Sequence, residues 1–148
     1  MREGDLEAAM KEFNIAIALN PNVQATSVYY NNLGQVYMRM YALNNNKLFP
    51  MWAQKCFEQA LLGDCMNFVY YKNLVNVYEA RGILNSKVTY HLSQKDKNPY
   101  SAIILGLIYL KQNKIGAAVT ILDDFCVQNP DLIITSDVKR LLANYQFI

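Results

Sequence analysis

A nine-residue phrase occurs twice in the chain, and its spacing constrains the fold more than any other feature. Tyr29–Tyr37 reads YYNNLGQVY, and Tyr70–Tyr78 reads YYKNLVNVY. In both copies the large or special residues, which are Tyr30, Leu33, Gly34 and Tyr37 in the first copy, fall at i, i+3, i+4 and i+7. This is the spacing of one face of an α-helix. The same spacing recurs at Ala102–Tyr109 and at Val138–Tyr145. The chain therefore carries four related helices, and we expect them to occupy equivalent places in a repeating architecture.

A second kind of helix alternates with these four. It is marked by an alanine that is followed, four residues later, by a large apolar residue: Ala9 and Phe13, Ala53 and Phe57, Ala118 and Leu122. Segments of this kind are followed by a proline at Pro21, Pro99 and Pro130. A helix usually ends at or before the residue that precedes a proline, so each proline marks the end of a helix. The alternation predicts antiparallel helix pairs.

This pattern resembles the tetratricopeptide repeat, a unit of about 34 residues with W-x2-L-G-x2-Y on its first helix, A-x3-F on its second and a closing proline. The resemblance covers nearly the whole chain. It implies an all-α fold, a right-handed α-solenoid of antiparallel helix pairs with about eight helices. The implied division is a half unit at 1–22, units at 27–65, 68–98 and 99–131, and a final helix at 135–147.

Small residues at the packing positions give the resemblance a physical basis. Gly34 and Gly106 stand where two helix backbones must approach closely, and Phe57 is one of the large residues that fill the remaining space. The alternative is an ordinary bundle of helices that look alike. Four aligned frames with matching turn residues weigh against it.

The unit over 68–98 departs most from the pattern. Val75 replaces its small residue, and Lys87 and His91 stand where alanine and phenylalanine are expected. We therefore expect its second helix, over about 84–96, to pack less tightly than the others. His91 is the single histidine of the chain, and we interpret it as a structural residue.

The connection between Tyr41 and Trp52 is longer than the repeat requires, with an insertion over 42–50. One interpretation is an extended helical hairpin whose Leu48, Phe49 and Trp52 pack onto neighbouring helices. The other is a protruding contact element, because functional residues are concentrated in unusual loops. An insertion here also makes the unit similar to the Sel1-like relatives of tetratricopeptide repeats.

Composition and charge exclude several classes of function. Lysine and arginine number 14 against 12 acidic residues, a net charge of +2, so nothing indicates nucleic-acid binding. No apolar run reaches the roughly 20 residues that span a membrane. Three cysteines without a CxxC spacing favour reduced thiols and a cytoplasmic location, and a secreted or periplasmic protein with one spare thiol is the alternative. The sequence contains no HExxH, GxSxG or Walker motif, so we expect no enzymatic activity, metal or cofactor.

The resemblance also implies a binding surface, because the first helices of tetratricopeptide units line a concave groove. The helical wheel turns Asn31, Gln35, Lys72, Asn76, Ile103 and Leu107, among others, toward this groove, and Asn32 adds a neighbouring amide. Amide side chains donate and accept hydrogen bonds, which suits a peptide backbone, and Lys72 suits a carboxylate. Ile103 and Leu107 would offer a pocket for one apolar side chain. Alternatively, Asn32, Asn73 and Asn76 only brace helix ends.

The repeat pattern and the groove residues together favour two functions. The first is a protein-interaction module that binds a peptide or protein segment in the groove. The second is a scaffold or self-assembling spacer whose contacts come from the end helices, through Phe13, Ile17 or Tyr145. The opening and closing helices expose apolar faces, so we expect either a piece of a longer array or head-to-tail association into a homo-oligomer.

Overall fold

In this computed structural model, which describes residues 3–19 and 23–145, the chain forms eight α-helices and no β-strand. The helices are α1 (Glu3–Leu19), α2 (Val23–Asn44), α3 (Leu48–Gly63), α4 (Phe68–Arg81), α5 (Leu84–Gln94), α6 (Ser101–Lys111), α7 (Ile115–Gln128) and α8 (Ile133–Ala143). Each helix packs against the next one in the chain, as in a helical repeat solenoid, so the all-α prediction is confirmed. Pro21 and the predicted helix end at 147 lie outside the described residues. Among the described helices, none is both long enough and apolar enough to cross a membrane.

Two glycines set the distance between paired helices, as the sequence predicted. A Cβ atom on Gly34 of α2 would lie 2.6 Å from Cε1 of Phe57 in α3. A Cβ atom on Gly106 of α6 would lie closer still to the side chain of Leu122 in α7. Phe57 and Leu122 are both almost fully buried, so neither can move away easily. The close packing of the α2–α3 and α6–α7 pairs therefore requires a residue without a side chain at these two positions.

The insertion lengthens two helices instead of forming a long loop. Only residues 45–47 separate α2 from α3, and Asn45 adopts a left-handed conformation with φ of 56°. Asparagine tolerates this conformation better than most residues do. The buried Phe49 ring lies 6.0 Å from the Tyr37 ring and 5.4 Å from the Trp52 ring, measured between centroids. Phe49 thus packs onto its neighbours as the extended-hairpin interpretation predicts, whereas Leu48 and Trp52 remain 47% and 41% exposed.

The lengthened hairpin also covers the opening helix. Leu6 of α1 is fully buried in a small apolar cluster with Val36, Met40 and Phe49, and Phe13 packs against this cluster. We expected the apolar face of α1 to be uncovered, and for Leu6 that expectation is wrong. The reason is that the extra turns of α2 and α3 reach its N-terminal half.

The α4–α5 pair is the loosest of the array, as the departures in its sequence predicted. Val75 is buried at the position that glycine occupies in α2 and α6, and α5 makes few contacts with α4. His91 is the only buried residue of α5. Helix α4 therefore lacks the small residue that permits the close approach seen at Gly34 and Gly106.

Helix α6 lies at the centre of the array. It contacts α4, α5 and α7, and every residue over 101–108 is buried. Helix α8 contacts α7 and also reaches back to α4, with Ile134 and Val138 fully buried in the main core. Because of this contact, α4 is bordered by α2, α6 and α8 in turn.

Adding a methyl group at either close approach should destabilise the protein. We expect Gly34→Ala and Gly106→Ala each to lower the free energy of unfolding by about 1–3 kcal/mol, because the new Cβ overlaps a buried side chain. Urea unfolding monitored by circular dichroism measures this difference.

Gly116 provides the matched control, since it is an exposed glycine within α7 and a Cβ there would meet nothing within 4 Å. Gly116→Ala should be neutral or stabilise by up to about 1 kcal/mol, as expected for alanine in an exposed helix. Equal effects of Gly106→Ala and Gly116→Ala would contradict the close-approach account.

Candidate functional site

Three surface clefts adjoin one another along α4. The α2–α4 cleft has a volume of about 330 Å³ and is lined by Gln35, Asn73 and Asn76, among others. The α4–α6 cleft of about 380 Å³ shares Asn76 with it and contains Lys72 and Leu107. The α4–α8 cleft is the largest, at about 660 Å³, and it shares Lys72 with the second cleft.

We call the side of α4 that carries Phe68, Lys72 and Asn76 the α4 face. These residues are four apart and so lie in one row along the helix. Phe68 and Asn76 are separated by about 12 Å of helix rise. The α4 face is therefore a continuous strip that passes through all three clefts.

Asn31 was predicted to face the groove, and the structure places it elsewhere. Its side chain is buried, and its Oδ1 accepts a hydrogen bond of 2.8 Å from Nδ2 of Asn73. This bond joins α2 to α4, so Asn31 holds two helices together and does not offer a free amide to a ligand. Asn32 is half-buried and does not line any of the three clefts.

The structure brings Gln35, Lys72 and Asn76 to the solvent side of the clefts, as the helical wheel predicted. All three are exposed. The Nζ atom of Lys72 lies 5.8 Å from the centroid of the Phe68 ring, within the range of a cation–π contact. Neither of the ion pairs formed among the described residues includes Lys72. Its ammonium group is thus available to an anionic ligand.

Of the two residues predicted to form an apolar pocket, only Leu107 lines a cleft. Leu107 is mostly buried but contributes to the lining of the α4–α6 cleft. Ile103 has no exposed surface and lies in the main core, so the expectation that it faces outward is wrong. The reason is that neighbouring helices surround the first two turns of α6. The segment AIILGLI is apolar on every face, which is typical of an enclosed helix. The sequence therefore contained an indication that Ile103 is buried.

Lys111 and Tyr145 are among the residues of the α4–α6 cleft that the sequence did not assign to the groove. Lys111 lies at the end of α6, and its Nζ is 3.5 Å from Oε1 of Glu79. Tyr145 follows α8 and reaches the same cleft because α8 folds back to α4. The contact between α4 and α8 is long-range in sequence, so no local pattern indicates it.

The α2–α4 and α4–α6 clefts combine three kinds of chemistry. Exposed amides at Gln35 and Asn76 can pair with the N–H and C=O groups of a peptide backbone. The Lys72 ammonium can bind a carboxylate, and Leu107 together with Leu110 forms an apolar floor. This combination suits a polypeptide segment with one apolar side chain.

The cysteines take no part in this site. All three are free, and Cys56 and Cys126 are buried. Burial raises the pKa of Cys56 to about 12, so its thiol is protonated and unreactive at neutral pH. Within residues 3–19 and 23–145, no group of three or more histidine, cysteine or acidic side chains is arranged to hold a metal ion.

Comparison of the chain with known protein families gives no match, and comparison with curated proteins gives none either.

The Asn31–Asn73 bridge can be separated experimentally from the exposed part of the site. We expect Asn73→Ala to lower the free energy of unfolding by about 1–3 kcal/mol, because the buried Asn31 amide loses its partner. Asn76→Ala, one turn away and exposed, should change it by less than about 0.5 kcal/mol. Thermal and urea unfolding of both variants measure this difference, and equal stabilities would contradict the bridge.

Proposed function

We propose that this chain is a protein-interaction module that binds a segment of another protein along the α4 face. We further propose that the chain is a degenerate array related to tetratricopeptide repeats and that it catalyses no reaction. The observation that carries it is the continuity of the three clefts, which share Asn76 and Lys72 along one helix. The free cysteines support a reducing compartment such as the cytoplasm.

The chemistry of the clefts defines the segment that fits. Gln35 and Asn76 bind its backbone whatever its sequence, since amides act as both donors and acceptors. Lys72 has no carboxylate partner among the described residues, so charge complementarity favours an acidic residue in the segment. Leu107 and Leu110 favour a large apolar side chain beside it. The proposed ligand is an acidic segment with one apolar anchor.

A peptide library tests this proposal. Random 12-residue peptides displayed on phage are selected against the protein, and the dissociation constant of a selected peptide is measured by calorimetry. We expect the selected peptides to contain an acidic residue close to a large apolar one. The triple variant Gln35→Ala, Lys72→Ala, Asn76→Ala should weaken binding at least about tenfold, because each polar contact contributes about 0.5–1.5 kcal/mol.

The control is the double variant Lys55→Ala, Gln59→Ala, which removes similar exposed side chains from α3. Neither residue lines the three clefts. Both variants should melt within a few degrees of the original protein, since exposed substitutions rarely affect stability. Binding that survives the triple variant would refute the α4 face as the site.

A spacer or scaffold that assembles through its end helices is the second candidate. It is favoured by Ile15 and Leu19 of α1, which are 58% and 77% exposed and lie one turn apart. Phe13, Ile17 and Tyr145, the residues first expected to form such contacts, are half-buried.

Association through α1 makes a separate prediction. If Ile15 and Leu19 form a contact between copies, the mass measured by light scattering should rise with protein concentration. The variant Ile15→Asp, Leu19→Asp should then remain a monomer, because two buried charges would be left unpaired. A constant monomeric mass of the original protein up to millimolar concentration would reject this function.

A further inference from the structure

Helix α5 is attached to the array by few contacts. Its one buried residue is His91, while Leu84 and Val88 are half-buried against the main core. An exposed hydrogen bond of 2.7 Å from Nε2 of Gln112 to Oδ1 of Asn85 contributes little to the attachment of α5, because water competes for both groups. The position of α5 therefore depends on how well the His91 ring fits its surroundings.

The surroundings of His91 suit only a neutral ring. Its Nδ1 lies 3.3 Å from Oγ of Ser101 on α6, whereas its Nε2 is buried with no hydrogen-bond partner among the described residues. The Tyr78 ring of α4 and the Tyr90 ring of α5 lie with centroids 6.4 Å and 4.9 Å from the imidazole. Lys87, one turn earlier on α5, extends over both tyrosine rings.

A proton on His91 would have no counter-charge within the part of the chain that the structure describes. The charged side chain that acts on the imidazole is Lys87, which has the same sign as an imidazolium. Burial raises the pKa of Tyr78, so this neighbour stays neutral at mildly acidic pH. Burial first, and Lys87 second, lower the pKa of His91 from its ordinary value of 6.5 to about 4.

We propose that His91 makes α5 a proton-sensitive latch: uptake of a proton by its imidazole releases α5 from α4 and α6 while the other helices stay packed. The two flanks of α5 permit such a movement. Gly82 before it has a left-handed φ of 70°, and an irregular turn over 95–100 follows it. The close approaches of Gly34 and Gly106 in the other pairs involve no titratable group.

The size of the effect follows from proton linkage. In the released state His91 is exposed and titrates near 6.5, so that state binds more protons than the packed state at every pH between 6.5 and 4. The equilibrium constant for release therefore increases about tenfold per pH unit as the pH falls through this window. Between pH 7.5 and pH 5 the expected increase is about thirty-fold.

Hydrogen–deuterium exchange of the intact chain tests the proposal. Protection factors, which are corrected for the intrinsic effect of pH on exchange, are compared for α5 and α7 at pH 7.5 and pH 5. We expect protection of α5 to fall about thirty-fold while that of α7 is unchanged. Fluorescence of Trp52, the single tryptophan, should not change, because it lies on α3.

His91→Gln removes the titrating group, and His91→Phe is a second variant that keeps a planar ring in the same place. Because His91 is the only histidine, no other imidazole can replace it. In both variants protection of α5 should be the same at the two pH values. The proposal is overturned by a pH-independent α5 in the original protein, by an equal loss in α5 and α7, or by an undiminished loss in either variant.

Discussion

The close approach of paired helices at two glycines is the constraint on which the rest of the array depends. At Gly34 and Gly106 the facing side chains, Phe57 and Leu122, occupy the space that a Cβ would need. Burial of these two side chains fixes both the separation and the register of the pairs, because a packed interior tolerates little displacement. Helix α4 is placed by this geometry, since α3 and α6 both pack on it.

The pair without such a glycine shows what the constraint contributes. Val75 stands in α4 where the other pairs have glycine, and the α4–α5 interface contains a histidine instead of an aromatic residue such as Phe57. An imidazole buried with an unpaired nitrogen contributes less to packing than a hydrocarbon ring does, and its contribution depends on its charge. A single array thus contains rigid pairs and one pair whose packing responds to pH.

The repeating frame was enough to predict the helices, the alternating pairs and the loose α5, because all of these follow from local spacing and side-chain size. The frame failed where contacts are distant in sequence. It predicted that Ile103 faces outward, although three helices enclose α6. It also did not assign Tyr145 to the groove, because Tyr145 reaches the α4–α6 cleft only through the return of α8 to α4. It assigned Asn31 to a ligand, although Asn73 of another unit is its partner. Exposure is a property of the assembled array and cannot be inferred from a single helical wheel.

The return of α8 to α4 has a further consequence for the geometry of stacking. In a regular solenoid each unit is rotated by a similar angle relative to the unit before it, so the shape of the whole can be extrapolated from two neighbouring units. Here α8 is oriented by a helix four elements earlier as well as by α7. The orientation of any polypeptide that packs on the outer side of α8 would therefore not be determined by the rotation between the earlier units. The superhelical pitch would change at that point.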